Sequence, residues 1–283
     1  MGIDLIKNKK VEIFDRNIRK RFGIIVSGIG VVLSIVLIFV SIPEKYKILT
    51  GLIFVMILIL VYLMTWLYAN KLTNTSVTVG VTSVEIKAGD IFEQDGLKAI
   101  AFNEYFDTQV DDKIIAKKSL NGQVIDKFFT NVNELNQKIE ADKYLNSPGN
   151  ILKENIEREG KGTRYKLGSS ILVDEFIFTA FTKFSDRNEA QLTMQEYIDF
   201  LLSFWNEINR LYAQRAVTVP IFGSGITRFK NGFEDININE LLKIMVWTFK
   251  ISKIKFVYPA KLTIIIPEGR LKEINLFEIK ENE

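Results

Sequence analysis

The chain has 283 residues, with 37 Lys and Arg against 34 Asp and Glu, a formal net charge of +3. So small a basic excess gives no argument for a nucleic-acid partner. The sequence holds neither Cys nor His, which excludes disulfides, thiol catalysis, thiolate metal sites, imidazole bases and the commonest zinc centres. Chemistry would fall to carboxylates, Lys, Tyr or a bound ligand's own groups, a balance that favours a binding module over a hydrolytic enzyme.

Residues 1–21 form a basic leader, in which Lys7, Lys9, Lys10, Arg16, Arg19, Lys20 and Arg21 face only Asp4, Glu12 and Asp15. Two uncharged apolar runs follow, 22–42 and 48–68, separated by Pro43-Glu44-Lys45-Tyr46-Lys47. Each reaches the roughly 20 residues that a helix needs to cross a bilayer. The pattern predicts a transmembrane helical hairpin over 22–70 carrying one soluble domain over 71–283. The basic leader places the N-terminus in the cytoplasm, the short turn outside, and the soluble domain in the cytoplasm again. A signal peptide followed by a stop-transfer helix is the alternative, but no small-residue cleavage site follows the first run. Gly23, Ser27, Gly30, Ser34 and Ser41 fall on one stripe of the first helix. Such a stripe allows close packing on the second span or on another protomer, although small residues are also common in spanning helices. Tyr62, Trp66 and Tyr68 are expected to form an interfacial aromatic anchor, and 70–76 reads as a polar linker.

Beyond it, Val- and Thr-rich 77–87 predicts a strand and apolar 97–102 a buried one. Helices are expected over 111–120 and over 123–144, the second bent near Asn131. Strands 163–167 and 171–184 are expected to pair through a turn at Gly168-Ser169-Ser170. Thr193 and Glu196 form a capping box opening a helix over 193–214, in which Tyr197, Leu201, Trp205, Ile208 and Tyr212 recur at helical spacing. A strand over 216–222 runs into Gly223-Ser224-Gly225. A helix over 237–250, capped by Asn237, and strands 253–258 and 262–266 complete the domain. Strands alternating with long helices predict an α/β domain, a mixed sheet flanked by helices. Ligands in such folds sit at the carboxyl ends of strands.

Three strand ends stand out. Gly89-Asp90-Ile91 could accept a hydrogen bond from an exocyclic amine while a neighbouring backbone N–H reads a ring nitrogen; a turn aspartate accounts for the same residues. Asn103, closing Ala99-Ile100-Ala101-Phe102, offers donor and acceptor together, suited to ribose hydroxyls, or simply ends its strand. Pro220-Ile221-Phe222-Gly223-Ser224-Gly225-Ile226 presents bare amides of the kind that hold phosphates, or makes a tight turn. No Lys-Ser/Thr follows it, so it is not a P-loop.

In order and spacing, strand-GDI, strand-Asn and a late strand-GSGI resemble the Macro domain, the ADP-ribose-binding fold. The resemblance covers 77 to about 279. It implies that Asp90 and Ile91 take adenine, that Asn103 lies near the distal ribose, and that Gly223, Ser224, Gly225 and Ile226 wrap the diphosphate. The Asn-Ala-Ala-Asn motif and triple-glycine loop of most Macro domains are absent. In their place stand Asn103-Glu104-Tyr105-Phe106-Asp107-Thr108, Val110-Asp111-Asp112 and Ser119-Leu120-Asn121-Gly122, which puts hydrolysis in doubt and leaves nucleotide binding intact. With the two-span hairpin, this segment is similar to the membrane-anchored Macro effectors of the bacterial Thoeris anti-phage system. That resemblance implies an inner-membrane, multi-pass effector with no cofactor, which binds an ADP-ribose-derived signal, cyclic or amino-acid-conjugated, made by a partner TIR-domain enzyme. A homo-oligomer that acts on the lipid bilayer is the implied assembly. Asp112 is assigned to the ligand's distal end; with Asp111 it equally suits the first turn of a helix. Phe229 could stack on the ligand or belong to the core, and Lys161 and Arg164 could meet phosphate or lie at the surface. A membrane-anchored ADP-ribosyl hydrolase, with Asp107, Asp111 or Asp112 as base, and a non-catalytic docking protein remain the other readings.

Overall fold

The computed structural model describes residues 9–185, 187–252, 254, 256 and 260–281. The chain divides into two compact units, residues 1–75 with 269–283, and residues 76–268.

The first unit is built on two long helices, α1 (Arg16–Phe39) and α2 (Glu44–Lys71). Asp15 opens α1 by accepting hydrogen bonds from the Asn17 and Ile18 amides, and Pro43 opens α2. Their most apolar stretches have mean hydropathies of 2.8 and 2.7, and none of the residues there is buried. Both helices are therefore long and apolar enough to cross a membrane, and their exposed apolar surface fits a lipid-facing role. Near the C-terminal end of α2, residues 11–13 lie along the helix. Trp66 Nε1 donates to the Val11 carbonyl at 2.9 Å, Tyr62 Oη to the Ile13 carbonyl at 2.6 Å, and the Val11 amide to Asn70 Oδ1 at 3.1 Å. Val11, Ile18, Trp66, Ala69 and Phe277 form a small core there, Phe277 coming from the C-terminal helix α7 (Leu276–Glu281). Tyr62 and Trp66, expected at the interface, are thus fastened to the leader, while Tyr68 is half exposed. A Cβ added at Gly23, Gly28, Gly30 or Gly51 would meet nothing within 4 Å, so these glycines do not bring the two helices together.

In the second unit the expected strand 77–87 is divided. Gly80, at φ +62°, makes with Val81 a two-residue turn between β1 (Asn74–Val79) and β2 (Thr82–Ala88), as favoured hairpin turns require. There follow a 3-10 turn (Ile91–Glu93), β3 (Leu97–Asn103), α3 (Leu120–Phe128) and α4 (Val132–Ala141). Residues 111–119 are not helical. Asp111 Oδ1 accepts from the Lys113 and Ile114 amides at 2.9 and 2.8 Å, and Asp112 sits at φ +63°; these turn bonds compete with helix formation. The helix starts only after Ser119, which caps it through the Gly122 amide. Asn131 breaks the next predicted helix and caps α4.

The remainder comprises β4 (Ile151–Lys153), β5 (Arg164–Tyr165), β6 (Ser170–Val173), β7 (Phe176–Phe184), β8 (Ala190–Thr193), α5 (Met194–Leu211), β9 (Val217–Pro220), β10 (Arg228–Lys230), α6 (Ile238–Ser252) and β11 (Leu262–Ile266). β5 pairs with β4, not with the following strand. The hairpin turn lies at Asp174-Glu175, with Asp174 at φ +56°, and not at Gly168-Ser169-Ser170. The capping box of Thr193 and Glu196 is formed, and Asn237 caps α6 by accepting from the Glu240 amide at 3.0 Å. The predicted strand 253–258 lies mostly outside the described residues.

The sheet runs β1-β2-β11-β9-β3-β7-β8-β10, with β6 also on β7. β2, β11, β9, β3 and β7 are mutually parallel; β6 and β8 run antiparallel to β7. The sheet is therefore mixed. β11 is buried at every position, as expected of a parallel strand covered on both faces. Ile100, Phe102 and Phe178 pack with Val124, Ile125, Leu135 and Ile139 of α3 and α4. Phe200, Phe204 and Trp205 of α5 meet Phe181, Phe222 and Phe249 in a chain of ring contacts.

Candidate ligand site at the carboxyl edge of the sheet

The parallel strands put the three candidate loops on one edge. Residues 89–91 leave β2, 221–226 leave β9 and 104–107 leave β3, all at carboxyl ends. Neighbouring strands stand about 4.8 Å apart. In the order β2-β11-β9-β3, the aspartate turn and the glycine loop are about 10 Å apart and the Asn103 turn is about 5 Å further on.

At the first position the Gly89 amide donates to the Ile266 carbonyl at the end of β11, at 3.0 Å. Asp90 is exposed; its Oδ1 accepts from the Phe92 amide at 2.9 Å and opens the 3-10 turn. Ile91 is buried and holds the turn against the sheet, leaving the carboxylate outward.

In the glycine loop, Tyr197 Oη donates to the Phe222 carbonyl at 3.0 Å from a fully buried position; burial raises the Tyr197 pKa well above its ordinary value. The Ser224 amide and hydroxyl both donate to the Ile221 carbonyl, at 3.2 and 2.7 Å. Gly223 has φ +82°, and a Cβ there would lie 2.9 Å from Phe229 Cζ. At Gly225 a Cβ would meet nothing within 4 Å, and Ile226 is 53% exposed. The loop is thus braced from below and open above. Phe229 is core: it is 4% exposed and sits edge-on to Tyr197.

Asn103 is buried and its side chain is engaged within its own turn. Nδ2 donates to Asp107 Oδ2 at 3.0 Å, and Oδ1 accepts from the Tyr105 and Asp107 amides at 2.9 and 3.3 Å. Asp107, 1% exposed, also accepts from Arg158 Nη1 at 3.0 Å and from the Lys161 amide at 2.7 Å. Arg158 lies 4.0 Å over the Tyr105 ring and donates to Asn188 Oδ1. Glu104 beside it is buried; its Oε1 accepts from the Phe184 amide at 3.3 Å, and Arg164 Nε stands 4.0 Å from Oε2. Burial raises the Glu104 pKa, against the opposing pull of that amide, Arg164 and Lys183.

Past this turn is a cavity of about 510 Å³ lined by Asp107, Thr108, Asp126, Asn136, Gly160 and Lys161 among others. Lys161 Nζ is out of contact with solvent and has no hydrogen-bond partner among the described residues. Burial lowers its pKa to about 8, despite Asp107 and Glu140. Asp112 stands apart: its Oδ1 accepts from the Lys117 amide at 2.9 Å, and its side chain is mostly in solvent. The aspartate turn, glycine loop and Asn103 therefore share one edge, while Asp112 lies on the turn before α3. The Asp107–Arg158 pair and buried Lys161 join the Asn103 end of that edge. Their sequence signal is thin, a lone Arg and Lys in the charged, Gly-rich stretch 154–162. Among the described residues no cluster of three or more acids is placed to hold a metal.

A mixed α/β sheet with an Asp-Ile turn and a glycine loop flanking its central parallel strand has the architecture of a Macro domain. Residues 84–267 match the family model described as "Thoeris protein ThsA, Macro domain". The chain is 41% identical over 275 residues to Thoeris protein ThsA of Bacillus amyloliquefaciens (strain Y2), covering 95% of this chain and 91% of the relative. The chain belongs to the ThsA Macro family. Among solved structures, the Oceanobacillus iheyensis macrodomain with ADP is similar at 12% identity and a TM-score of 0.48, covering 74% of this chain and 95% of that one. The same macrodomain with MES bound gives 11% and 0.46, covering 74% and 98%.

Proposed function

We propose that the chain is a membrane-anchored receptor for an ADP-ribose-derived signal and acts on the membrane in anti-phage defence. The observation that carries this reading is the row of three loops on one sheet edge, spanning about 14 Å from β2 to β3. Adenine pairs its amine with Asp90 and a ring nitrogen with the Ile91 amide. The diphosphate rests on the backbone amides of Gly225 and Ile226, where open space above Gly225 admits it. The distal ribose reaches the Asn103 turn, and its substituent the cavity beside Lys161. Loop closure around the ligand shifts the population toward an assembly of hairpins in the bacterial inner membrane. A TIR-domain enzyme supplies the signal, and the receptor has no catalytic role.

Binding without turnover is favoured by the state of the available carboxylates. Asp107 is buried and its oxygens are engaged by a guanidinium, a carboxamide and a backbone amide, so it does not face a ligand as a free base. Asp111 accepts from two backbone amides, which lower its pKa. Isothermal titration of the full-length protein with ADP-ribose, its cyclic forms and its amino-acid conjugates tests the reading. Heat is expected from at least one; silence with all of them refutes it. Release of free ADP-ribose from modified protein would establish the hydrolase instead.

A further inference from the structure

At the hairpin end that carries Arg21 and Tyr68, α1, α2 and α7 line a second, open cavity, of about 660 Å³. We propose that it holds the headgroup of an anionic phospholipid drawn from the surrounding leaflet. This rests on the hairpin crossing a bilayer, as inferred above, and is separable from nucleotide binding.

The lining divides by chemistry. Arg21 and Lys280 bring two cations and Glu281 one carboxylate. The sum is a single positive charge, matched to one phosphodiester. The Lys280 ammonium is seated by Tyr68: it donates to the hydroxyl at 2.8 Å and lies 5.3 Å from the ring centre. That contact fixes the amine at the mouth of the cavity and leaves further ammonium hydrogens to donate. Ile25, Met64 and Phe277 form the apolar part of the wall, and the first two continue into the exposed apolar faces of α1 and α2.

Depth along the helices agrees. At 1.5 Å per residue, α2 rises about 24 Å from Ile48 to Met64 and about 30 Å from Ile48 to Tyr68. On α1, Arg21 to Phe39 spans about 27 Å. The hydrocarbon core is about 30 Å thick. Ile25 and Met64 therefore fall at the level of the first acyl methylenes, and Arg21, Tyr68 and Lys280 at the level of the phosphate. A cationic pocket between helix ends on the cytoplasmic side is where acidic headgroups bind. Glu281 suits a headgroup hydroxyl, which donates to it. A freely diffusing phosphate would use the cations and leave the apolar wall uncovered.

The test uses full-length protein in neutral detergent, titrated with phosphatidylglycerol, phosphatidylcholine or inorganic phosphate. Retained lipid is counted by native mass spectrometry and stability is read by thermal melting. Phosphatidylglycerol is expected to be retained one per chain and to raise the Tm, with little effect from the other two. Arg21→Gln with Lys280→Gln should weaken retention roughly 30-fold. Lys45→Gln with Lys47→Gln makes the same charge change at the opposite end and should leave retention unchanged. Should the first pair fail to fold, Lys280→Gln alone carries the comparison at roughly 5-fold. Equal retention of phosphatidylcholine, an equal shift with phosphate, or an equal loss from the Lys45 and Lys47 pair overturns the site. Alkaline carbonate washing of membranes separates the two claims. Protein released by the wash defeats the anchor and the site together; protein that stays behind without phosphatidylglycerol selectivity defeats the site alone.

Discussion

Two glycines in one loop should respond oppositely to the same methyl group. Gly223 combines φ +82° with a Cβ position 2.9 Å from Phe229 Cζ. The left-handed backbone costs an L-residue about 1–2 kcal/mol, and forcing a carbon against a packed ring about 1–3 kcal/mol more. Phe229 cannot yield easily, being 4% exposed and edge-on to Tyr197, whose hydroxyl braces the same loop. Gly223→Ala should therefore destabilise the second unit by roughly 2–5 kcal/mol. For a unit of this size the Tm should fall by roughly 4–20 °C. Gly225, two residues on, has no positive φ and open space at its Cβ position. Gly225→Ala should leave the Tm within the ordinary range of surface substitutions, about 0.5 kcal/mol. It should weaken ADP-ribose binding by roughly 10-fold or more, by holding the diphosphate off a charge-assisted amide contact. Thermal melts and titration calorimetry on the same preparations read both effects. An unchanged Tm for Gly223→Ala, or full affinity in Gly225→Ala, would show that the loop is not the braced cradle described.

Asp90→Ala removes the cap on the 3-10 turn and the acceptor for the adenine amine. A stability loss of about 0.5–2 kcal/mol with a 10- to 100-fold loss of affinity is expected by melting and calorimetry. Arg158→Ala leaves buried Asp107 without its cation and should cost about 3–5 kcal/mol. The double variant Asp107→Asn/Arg158→Ala should recover part of that loss in the same melt, and an additive double variant would deny the pairing. Lys161 has a folded pKa of about 8 against about 10.4 unfolded. Between those values the unfolded chain binds the extra proton, so stability should rise with pH across that window. Denaturant melts at pH 7.5, 9 and 10.5 should show the rise in the native protein and lose it in Lys161→Gln.

What the sequence disclosed and what it hid divide along the range of the interactions involved. The strands Leu97–Asn103 and Leu262–Ile266 were legible because burial on both faces leaves a mainly apolar sequence, interrupted only by Lys98 and the closing Asn103 in the first and by Thr263 in the second. The capping box at Thr193 is contained within four residues. The turn between β6 and β7 was hidden: 171–184 is mainly apolar and β-branched, with the Asp174-Glu175 break no more prominent than Lys183, while Gly168-Ser169-Ser170 looks like a turn. The conformational freedom of Gly168 serves a tertiary contact instead, since a Cβ there would lie 2.5 Å from Ser203 Cβ. The candidate site divides in the same way. The Asp90 turn and the 223–226 loop are local shapes, and the strand order alone brings them to one edge. The Asn103 end is built from partners far apart in the chain. Arg158 lies 51 residues beyond Asp107, and the cavity joins residues from 107 to 161. No spacing rule links such residues. Asn103 therefore read either as a ribose ligand or as the residue that ends its strand, and its carboxamide is engaged in the turn that positions Asp107. A ligand reaching this end must meet that locked turn and the cavity behind it, so specificity for the distal group belongs to residues that no local motif marks.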